Sequence, residues 1–543
     1  MAKVFETNSI RKDLRKVRTK FAICYPEPYR VGMSCMAIHT IYSMLNSLRD
    51  VACERAFLQP ASPDGTRTLE SNMPLKKMNA VGFSLQYEID YVNVLRMLLD
   101  SHIPLLSRDR SEEDPLIIAG GPCATGNPEP MSDFVDVFTI GEAEVILPGL
   151  LNRLAETKNP RAHISDLLDV GGLYIPTLDQ RSVSRIWVRD LDVAPHPISQ
   201  VIPHVNGRSS FSPVFGETFL AEATRGCGRG CRFCYIGHIG RPFRQRTLAN
   251  MEDIIERGTQ HTGVTKVSLI GSGLSDHSHL VDLCGWIVDN QKLSLSLSSL
   301  RADATSQELL GILARGGERT VTIAPETGSE TLRRTLNKKI TDEDIMCTAK
   351  GALEAGLRNI KLYFMIGLPG EEEQDVQEIS RLVQRIAKLG YQSRSIRLSI
   401  NPFVPKPHTS FQWFPQAPLA GLESKLKAIR SSLGSQAKVD VETLDLRWAR
   451  IETILSVADR TIADALKYVA ESGGTLGAWR RAMTKYPASF SPKKLYDHSQ
   501  NSLPWGKINV GMNKDFLKQE MSKSLNGEES SSCLDGCLAC GIC

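Results

Sequence analysis

The sequence predicts an α/β fold made of a doubly wound domain followed by a (β/α)6 partial barrel. Three observations support this fold class. The 543 residues are too many for a single core. Short apolar runs alternate with helix-periodic segments over 20–150 and again over 216–401, and such alternation favours parallel sheets. A stretch rich in proline, serine and single charges, 172–215, separates the two series.

The predicted elements follow this division. The front strands are KFAICYP, NAVGFSLQ, DPLIIAGGP and FVDVFTIGE, and the barrel strands are TFLAEAT, KVSLIGS, LSLSLSS, RTVTIAP, NIKLYFMIG and SIRLSIN. From about residue 418 the pattern is helical. The predicted organisation is an α/β domain at 1–171, a linker at 172–215, the partial barrel at 216–417, a helical C-terminal region at 418–520 and a flexible Cys-rich tail at 521–543.

Composition restricts the class of protein. The net charge of +4 is close to balanced, so no strong nucleic-acid signal is present. No apolar run reaches the roughly 18 residues of a membrane span, and the basic N-terminus has no apolar region typical of a secretory signal. We therefore expect a cytoplasmic protein without a membrane partner. Thirteen cysteines in that compartment favour metal or redox chemistry, and seven of them lie in two tight clusters.

The first cluster is RGCGRGCRFCYIG, residues 225–237, where Cys227, Cys231 and Cys234 follow the first barrel strand. Three cysteines leave one coordination position open, both at a tetrahedral zinc ion and at an iron–sulfur cube that needs four ligands. A substrate or cofactor can bind at that position, and the mouth of a barrel is where a site is expected. The alternative is a structural zinc loop.

At this loop the chain resembles the radical SAM superfamily, whose CxxxCxΦC motif matches Cys227, Cys231, Phe233 and Cys234. The resemblance implies a 4Fe–4S cluster whose open iron chelates S-adenosylmethionine. It also implies reductive cleavage of that cofactor to a 5′-deoxyadenosyl radical, so the cofactor carries the chemistry and the protein positions it. An electron donor of the flavodoxin or ferredoxin type is the expected partner.

The resemblance assigns further cofactor-binding positions at the strand ends. They are Gly271, Ser272 and Gly273 for the methionine amino group, Glu326 in APETGSE for the ribose or methionine, and Ile366 and Gly367 in MIGLPGE for adenine. The first three depart from the common GGE form, so a backbone contact is expected there. Ordinary turn chemistry is the alternative. Six arginines are expected to offset the negative charge of the cluster: Arg225, Arg229, Arg232, Arg241, Arg244 and Arg246.

The front domain resembles the cobalamin-binding fold, which carries D-x-H-x-x-G, then a serine, then a Gly-Gly pair. The equivalent frame here is 27–32, with Tyr29 in the histidine position, and Ser84, Gly120 and Gly121 match the later elements. A neutral phenol is a poor cobalt ligand. Either cobalamin binds without a histidine below cobalt, or the fold is kept without the ligand. The chain up to about residue 415 resembles an uncharacterised group of cobalamin-domain radical SAM proteins, through VGFSLQYE, IAGGPCATGNPEP, APETGSETLRR and NPFVPKPHTSFQW.

The second cluster is CLDGCLACGIC, which holds Cys533, Cys537, Cys540 and Cys543. Four thiols so closely spaced can bind an iron–sulfur cube or a zinc ion. The spacing resembles a ferredoxin-like run without its final proline. A zinc knuckle or a disordered redox-sensitive tail is the alternative. The remaining cysteines are expected in the core: Cys24, Cys35, Cys53, Cys123, Cys284 and Cys347.

These features together predict a radical SAM enzyme that transfers a methyl group from cobalamin to an unactivated carbon or similar centre. A first alternative is cobalamin-free radical chemistry, such as a rearrangement or cyclisation, with the tail cluster relaying electrons. A methylthiotransferase is less favoured, because the N-terminal cysteine triad of that family is missing. A different class is a metal-stabilised binding protein without turnover. No motif identifies the substrate.

Overall fold

The structure is a computed structural model that describes residues 4–60, 65–157, 161–178, 180, 182–205, 209–434, 439–490, 503–533, 536 and 540–542. The chain forms two compact units. The first unit gathers Met1–Glu217, Gln260–Thr262 and Ile454–Gly511, and the second gathers Thr218–Thr259, Gly263–Thr453 and Met512–Cys543. The residues after 418 are therefore shared between the two units.

The first unit is built on a parallel sheet. Its strands are β1 Phe5–Thr7, β2 Thr19–Tyr25, β3 Val51–Phe57, β4 Ala80–Ser84, β5 Leu116–Gly120, β6 Val137–Thr139, β7 Leu173–Tyr174, β8 Val183–Ser184 and β9 Ile202–His204, with Ile508–Asn509 paired to β8. The main sheet has the order β3-β2-β4-β5-β6-β7, parallel except for β7. The four predicted front strands are confirmed as β2, β4, β5 and β6.

Strand β3 was not predicted, because its sequence VACERAF carries two adjacent charges. Both charged side chains are buried and paired. Arg55 Nε donates to Glu70 Oε1 at 2.7 Å and Arg55 Nη2 donates to Glu6 Oε2 at 2.7 Å. Glu54 accepts from the Thr68 hydroxyl at 2.5 Å. Paired charges can occupy a core strand, so an apolar run was not required here.

Helices cover the first sheet, and some of them come from the C-terminal part of the chain. They are Tyr29–Gly32, Met36–Ser47, Tyr91–Asp100, Pro122–Gly126, Ala143–Glu156, Ala463–Glu471 and Leu476–Lys485. Helix Ala463–Glu471 packs on Tyr91–Asp100. Asn127 Nδ2 donates to the carbonyls of Ser456 and Ala458 at 3.0 and 2.9 Å. These bonds make residues 454–511 part of the front unit.

The second unit is built on parallel strands and one short antiparallel strand, Arg244–Gln245. They are β10 Phe219–Arg225, β11 Arg244–Gln245, β12 Lys266–Gly271, β13 Ser294–Leu297, β14 Thr320–Glu326, β15 Asn359–Ile366, β16 Ile396–Pro402 and β17 Val439–Glu442. Their orders are β11-β10-β12-β13 and β14-β15-β16-β17, and a parallel bridge between Leu300 and Ile323 links the two sets. The six predicted barrel strands are confirmed. Strand β17 is a further parallel strand within the stretch for which helices were predicted.

Helices alternate with these strands. They are Ile236–Ile239, Leu248–Thr262, Leu280–Gly285, Gln307–Arg315, Glu330–Thr335, Asp342–Glu354, Glu373–Ala387, Leu419–Leu433, Leu446–Val457 and Lys514–Leu525. Hydroxyl caps begin several of them, as at Thr247, Ser306 and Thr341. Among the described residues, no helix is both long and apolar enough to cross a membrane. The core prediction is wrong for Cys347, which is exposed on a helix, whereas Cys24, Cys53, Cys123 and Cys284 are buried and Cys35 is half-buried.

Candidate functional site

The three-cysteine loop connects the end of β10 to the short helix Ile236–Ile239. Cys231 is buried and Cys227 and Cys234 are half-buried. The loop turns at Gly226, whose φ of +77° and close neighbours exclude a side chain, because a Cβ would lie 2.4 Å from the Gly240 oxygen. The Cys234 N–H donates to the Cys231 carbonyl at 3.0 Å, which fixes the turn between these two thiols.

The three thiols interact electrostatically. Burial, and after it the neighbouring Cys231 and Cys227, raises the pKa of Cys234 to about 12. Burial and Cys231 also raise the pKa of Cys227. In the part of the chain that the structure describes, no three His, Cys, Asp or Glu side chains form a ready-made metal site. The donor set nevertheless fits a thiophilic metal cluster, because metal binding displaces the protons that burial retains on the thiols.

Two cations face these thiols, although both are distant in sequence. Arg301 lowers the pKa of Cys227 and Lys338 lowers that of Cys234, against the larger effect of burial. Burial lowers the pKa of Lys338, but Glu326 and Cys231 outweigh it, so the net pKa lies above the ordinary value. Arg301 Nη2 donates to the Lys338 carbonyl at 2.8 Å, which connects the two cations. Positive charge next to the loop suits an anionic cluster.

Glu326 holds Lys338 in place. Lys338 Nζ donates to Glu326 Oε1 at 2.8 Å, and both side chains are largely buried. Glu326 ends β14 with φ +69°, a left-handed conformation that costs a non-glycine residue roughly 1–3 kcal/mol. Such strain occurs preferentially at functional sites. The position of Glu326 at the strand end agrees with the sequence prediction, whereas Lys338 was not predicted.

The six loop arginines have partners other than the thiols. The partners are Glu222 for Arg225, Asp276 for Arg229, Glu520 for Arg232, the Gly237 carbonyl for Arg241, the Pro242 carbonyl for Arg244 and the Glu222 carbonyl for Arg246. Most of these side chains are buried in ion pairs or hydrogen bonds that hold the loop and its surroundings. Arg301 and Lys338 act on the thiols in addition to these contacts. No local sequence pattern could have identified them, because barrel topology brings them to the loop.

The other predicted cofactor positions lie at strand ends. Gly271 ends β12, where a Cβ would lie 2.0 Å from Thr224 Oγ1, and Ser272 and Gly273 follow it. Thr224 Oγ1 is buried and has no hydrogen-bond partner among the described atoms. Because β10 and β12 are parallel, these residues share an edge with the three-cysteine loop.

Two further predicted positions end β15. The Ile366 carbonyl accepts from the Phe403 N–H at 2.9 Å, and the Gly367 N–H donates to Glu371 Oε2 at 2.6 Å. The backbone donor at Gly367 is thus already used within the chain. Phe233 packs against the buried cluster Leu332, Leu336, Leu368, Phe403 and Phe411, so the aromatic ring of the motif is anchored in the barrel unit.

In the front unit, Tyr29 is buried with its hydroxyl directed to Glu6, donating to Oε1 at 2.6 Å. Its ring packs edge-on against Phe57 and Phe211. Burial, and after it Glu6, raises the pKa of Tyr29 well above its ordinary value. A protonated phenol bound to Glu6 is no metal ligand, in agreement with the sequence analysis.

Ser84, Gly120 and Gly121 come together at the ends of β4 and β5. The Ser84 hydroxyl accepts from Gln86 Nε2 at 3.0 Å. A Cβ would lie 2.4 Å from Thr139 Oγ1 at Gly120 and 2.7 Å from the Leu85 carbonyl at Gly121. The position that a Cβ would take at either glycine is therefore already occupied by the chain itself. Gly121 also has φ +100°, which a side chain rarely adopts.

An unpredicted acidic pair lies at the same edge of the front sheet. Asp90 is 2% exposed, and its carboxyl group is paired with that of Glu27. Burial, and after it Glu27, raises the pKa of Asp90 to about 8. Burial also raises the pKa of Glu27, which accepts from Asn93 Nδ2 at 3.3 Å. Two carboxyl groups this close favour a shared proton.

The tail cysteines are placed only in part. The Cys533 N–H donates to the Gly228 carbonyl at 2.8 Å, which puts it next to the three-cysteine loop. Cys540 is buried and its carbonyl accepts from the Asn513 N–H at 2.8 Å. Cys537 and Cys543 lie outside the described residues.

Comparison with known proteins relates both parts of the chain to one group. Residues 222–383 match the radical SAM superfamily, and residues 37–176 match the family described as radical SAM proteins, N-terminal. The uncharacterised protein MJ0966 of Methanocaldococcus jannaschii is 31% identical over 485 residues, which cover 89% of this chain and 98% of the relative. The uncharacterised methyltransferase PH0819 of Pyrococcus horikoshii is 20% identical over 50% of this chain and 59% of its own length.

Solved structures are also similar in outline. The radical S-adenosylmethionine methyltransferase TsrM from Kitasatospora setae, with cobalamin and a [4Fe–4S] cluster bound, is 15% identical with a TM-score of 0.49, and the alignment covers 87% of this chain and 99% of that one. The cobalamin-dependent S-adenosylmethionine radical enzyme OxsB, with aqua-cobalamin and S-adenosylmethionine bound, is 14% identical with a TM-score of 0.47, covering 94% and 80%.

Proposed function

The chain belongs to the radical SAM superfamily of enzymes, and from that premise we propose that it cleaves S-adenosylmethionine reductively at a cluster held by Cys227, Cys231 and Cys234. The observation that carries the proposal is that the three thiols lie together on the largely buried loop after β10, at the end of a barrel strand. A 4Fe–4S cluster bound there would supply the electron for that cleavage and an open iron for the cofactor. This proposal replaces the alternative that the chain is a metal-stabilised binding protein that catalyses no reaction.

The surrounding residues have separate roles in this proposal. Lys338 and Arg301 offset the negative charge that three thiolates bring into a partly buried loop. Glu326, directed by its strained backbone, orients Lys338 and accepts a hydrogen bond from it. Gly271 lets β10 and β12 end in close contact. Phe233 anchors the loop in the apolar cluster of the barrel unit.

The proposed reaction is methyl transfer that depends on cobalamin bound by the front unit. Its support is the doubly wound sheet, with Ser84 and the glycine pair at the carboxyl edge where such sheets bind ligands. Tyr29 stands in the histidine position of the motif and its hydroxyl donates to Glu6, so that position offers no nitrogen ligand to cobalt. A low-potential donor of the flavodoxin or ferredoxin type is the proposed partner for the reductive step.

The second candidate is radical chemistry without cobalamin, such as a rearrangement or cyclisation. The glycine pair is compatible with it, because a Cβ at either glycine would meet Thr139 or Leu85, so packing within the chain is enough to require both glycines. The tail thiols Cys533, Cys537, Cys540 and Cys543 would then hold a second iron–sulfur cluster or a zinc ion.

One anaerobic experiment tests the superfamily chemistry. The chain is reconstituted with iron and sulfide, reduced with dithionite, and assayed for 5′-deoxyadenosine. Cys231→Ala should abolish product formation, because it removes one of three cluster ligands. Cys347→Ala is the matched control, since that thiol is exposed on the helix Asp342–Glu354 and belongs to neither cysteine cluster. Product at the parent rate in Cys231→Ala would disprove the assignment.

A titration separates the two candidate reactions. Hydroxocobalamin is added to the anaerobic, cluster-loaded chain, and the visible spectrum is followed. Cobalamin-dependent methyl transfer requires binding at tens of micromolar or tighter, with a spectrum that lacks a coordinated protein nitrogen. Absence of binding while the loop cluster stays intact would favour the cobalamin-free reaction. Metal analysis of the same samples distinguishes iron from zinc in the tail.

A further inference from the structure

The segment Glu528–Cys533, which we call the strap, lies along the three-cysteine loop. At one end the Cys533 N–H donates to the Gly228 carbonyl at 2.8 Å. At its centre the Ser530 N–H donates to Asn337 Oδ1 at 3.0 Å, and Asn337 Nδ2 donates to the Gly230 carbonyl at 3.2 Å. The strap thus contacts the loop directly and through a residue of the barrel.

The buried side chain of Arg232 connects the three-cysteine loop to the strap. Arg232 lies between Cys231 and Cys234 in sequence, and its side chain is completely buried. Its guanidinium donates to Glu520 Oε2 at 3.1 Å, to the Thr335 carbonyl at 2.9 Å and to the Glu528 carbonyl at 2.8 Å. One side chain therefore joins the loop, the barrel and the C-terminal segment.

Glu520, on the helix Lys514–Leu525, completes the arrangement. It is buried, accepts from the Ser530 hydroxyl at 2.6 Å and from Lys523 Nζ at 3.0 Å, and pairs with Arg232. Burial raises the pKa of Glu520, but the Ser530 hydroxyl, Lys523 and Arg232 together bring it below the ordinary value. The carboxylate is thus ionised and the arginine has a charged partner within the protein.

We propose that the strap holds the three-cysteine loop in its cluster-binding shape and that Arg232 is the positioning residue through which it acts. The inference rests on the proposed function, since it takes the loop to be the cluster site. A ligand loop needs outer hydrogen bonds to fix its thiols, and their loss typically weakens metal binding 10–100-fold. Here those bonds come from residues almost 300 positions further along the chain.

Full-length variants test the strap separately from the tail thiols. Ser530→Pro deletes the N–H that bonds Asn337 and the hydroxyl that bonds Glu520, and Ser531→Ala, at the exposed neighbour, is its matched control. Arg232→Lys keeps the charge and loses the planar fork. A fourth protein carries serine at Cys533, Cys537, Cys540 and Cys543, which keeps the strap backbone and removes the tail thiols.

The measurement is the rate at which a chelator removes loop-cluster iron under nitrogen, with the electron paramagnetic resonance spectrum of the reduced cluster as a second readout. Ser530→Pro and Arg232→Lys should release this iron about tenfold faster or more and broaden the spectrum. Ser531→Ala and the four-serine protein should match the parent at the loop cluster. If Ser530→Pro and Arg232→Lys both release iron at the parent rate, the proposed role of the strap is wrong, and the proposed function is unaffected. A parent chain that binds no iron at its loop thiols would overturn the proposed function as well.

Discussion

Single and double substitutions in the buried ion pair of Lys338 and Glu326 distinguish an effect on stability from an effect on activity. The two side chains are only 9% and 14% exposed and meet at 2.8 Å. Changing either residue alone, as Lys338→Met or Glu326→Gln, leaves a largely buried charge without its partner. That loss costs about 3–5 kcal/mol, whereas removing both charges also removes their desolvation penalty and is close to neutral.

The expected values follow from these numbers. Each single variant should melt about 10 °C lower, because 1 kcal/mol shifts Tm by about 2–4 °C in a unit of this size. The double variant Lys338→Met with Glu326→Gln should melt within a few degrees of the parent. Its formation of 5′-deoxyadenosine should nevertheless fall at least about 100-fold, since the charges next to the loop are gone. Tm is measured by thermal scanning and product by chromatography.

An exposed pair of the same chemistry provides the control. Lys361 Nζ on β15 and Glu442 Oε2 on β17 lie 3.7 Å apart across the intervening strand β16, with side chains 26% and 49% exposed. Their single substitutions should cost less than about 1 kcal/mol and leave product formation unchanged. A Lys338–Glu326 double variant that makes product at the parent rate would show that the pair is structural. A double variant as unstable as the singles would show that the pair stabilises the barrel by itself.

Three further outcomes are expected in the front unit. Asn127→Ala should lower stability by about 2–4 kcal/mol, measured as Tm, because it leaves two carbonyls of the C-terminal segment without donors. The pKa of Asp90 is about 8 in the folded chain, against an ordinary value of 3.8. Between these two pH values the folded chain therefore holds one proton more than the unfolded chain. The free energy of unfolding falls as pH rises through this range, by at most about 1.4 kcal/mol per pH unit. Asp90→Asn should flatten that slope in melts at pH 5 and 8, and a parallel slope would refute the shared proton with Glu27. Tyr29→Phe should cost about 1 kcal/mol through its lost bond to Glu6 and leave any cobalamin spectrum unchanged.

The strands that the sequence predicted are those whose burial is apolar. KFAICYP and NIKLYFMIG carry continuous or alternating apolar residues, and both form central strands. Strand β3 was missed because Glu54 and Arg55 are buried through pairing with residues elsewhere in the chain. Strand β17 was missed because VDVE is short and half charged and lies between two helices. The spacing of apolar residues along a sequence indicates which side chains face the core and which face solvent. It therefore does not identify a strand whose charged side chains are buried in ion pairs and hydrogen bonds.

The candidate site was predictable where its chemistry is local in sequence. The three loop cysteines are eight residues from first to last, and their number on one loop predicts a site with one open coordination position, at an iron–sulfur cube or at a zinc ion. Arg301 and Lys338 reach the loop only through the closure of the barrel strands, so no spacing could reveal them. Likewise, the glycine pair was visible in the sequence, but the reason for it, contact with Thr139 and Leu85, depends on tertiary structure.

The order in which the ribosome releases the chain has a consequence for folding. The first unit takes its last pieces from Ile454–Gly511, and the second takes Met512–Cys543. N-terminal domains commonly fold during synthesis, but here the front sheet emerges more than 200 residues before the helices that complete it. The bonds from Asn127 to Ser456 and Ala458 can form only after these two residues have left the ribosome. The nascent front sheet therefore remains incomplete while the barrel is being made, which is the interval in which a chaperone would be of use to this chain.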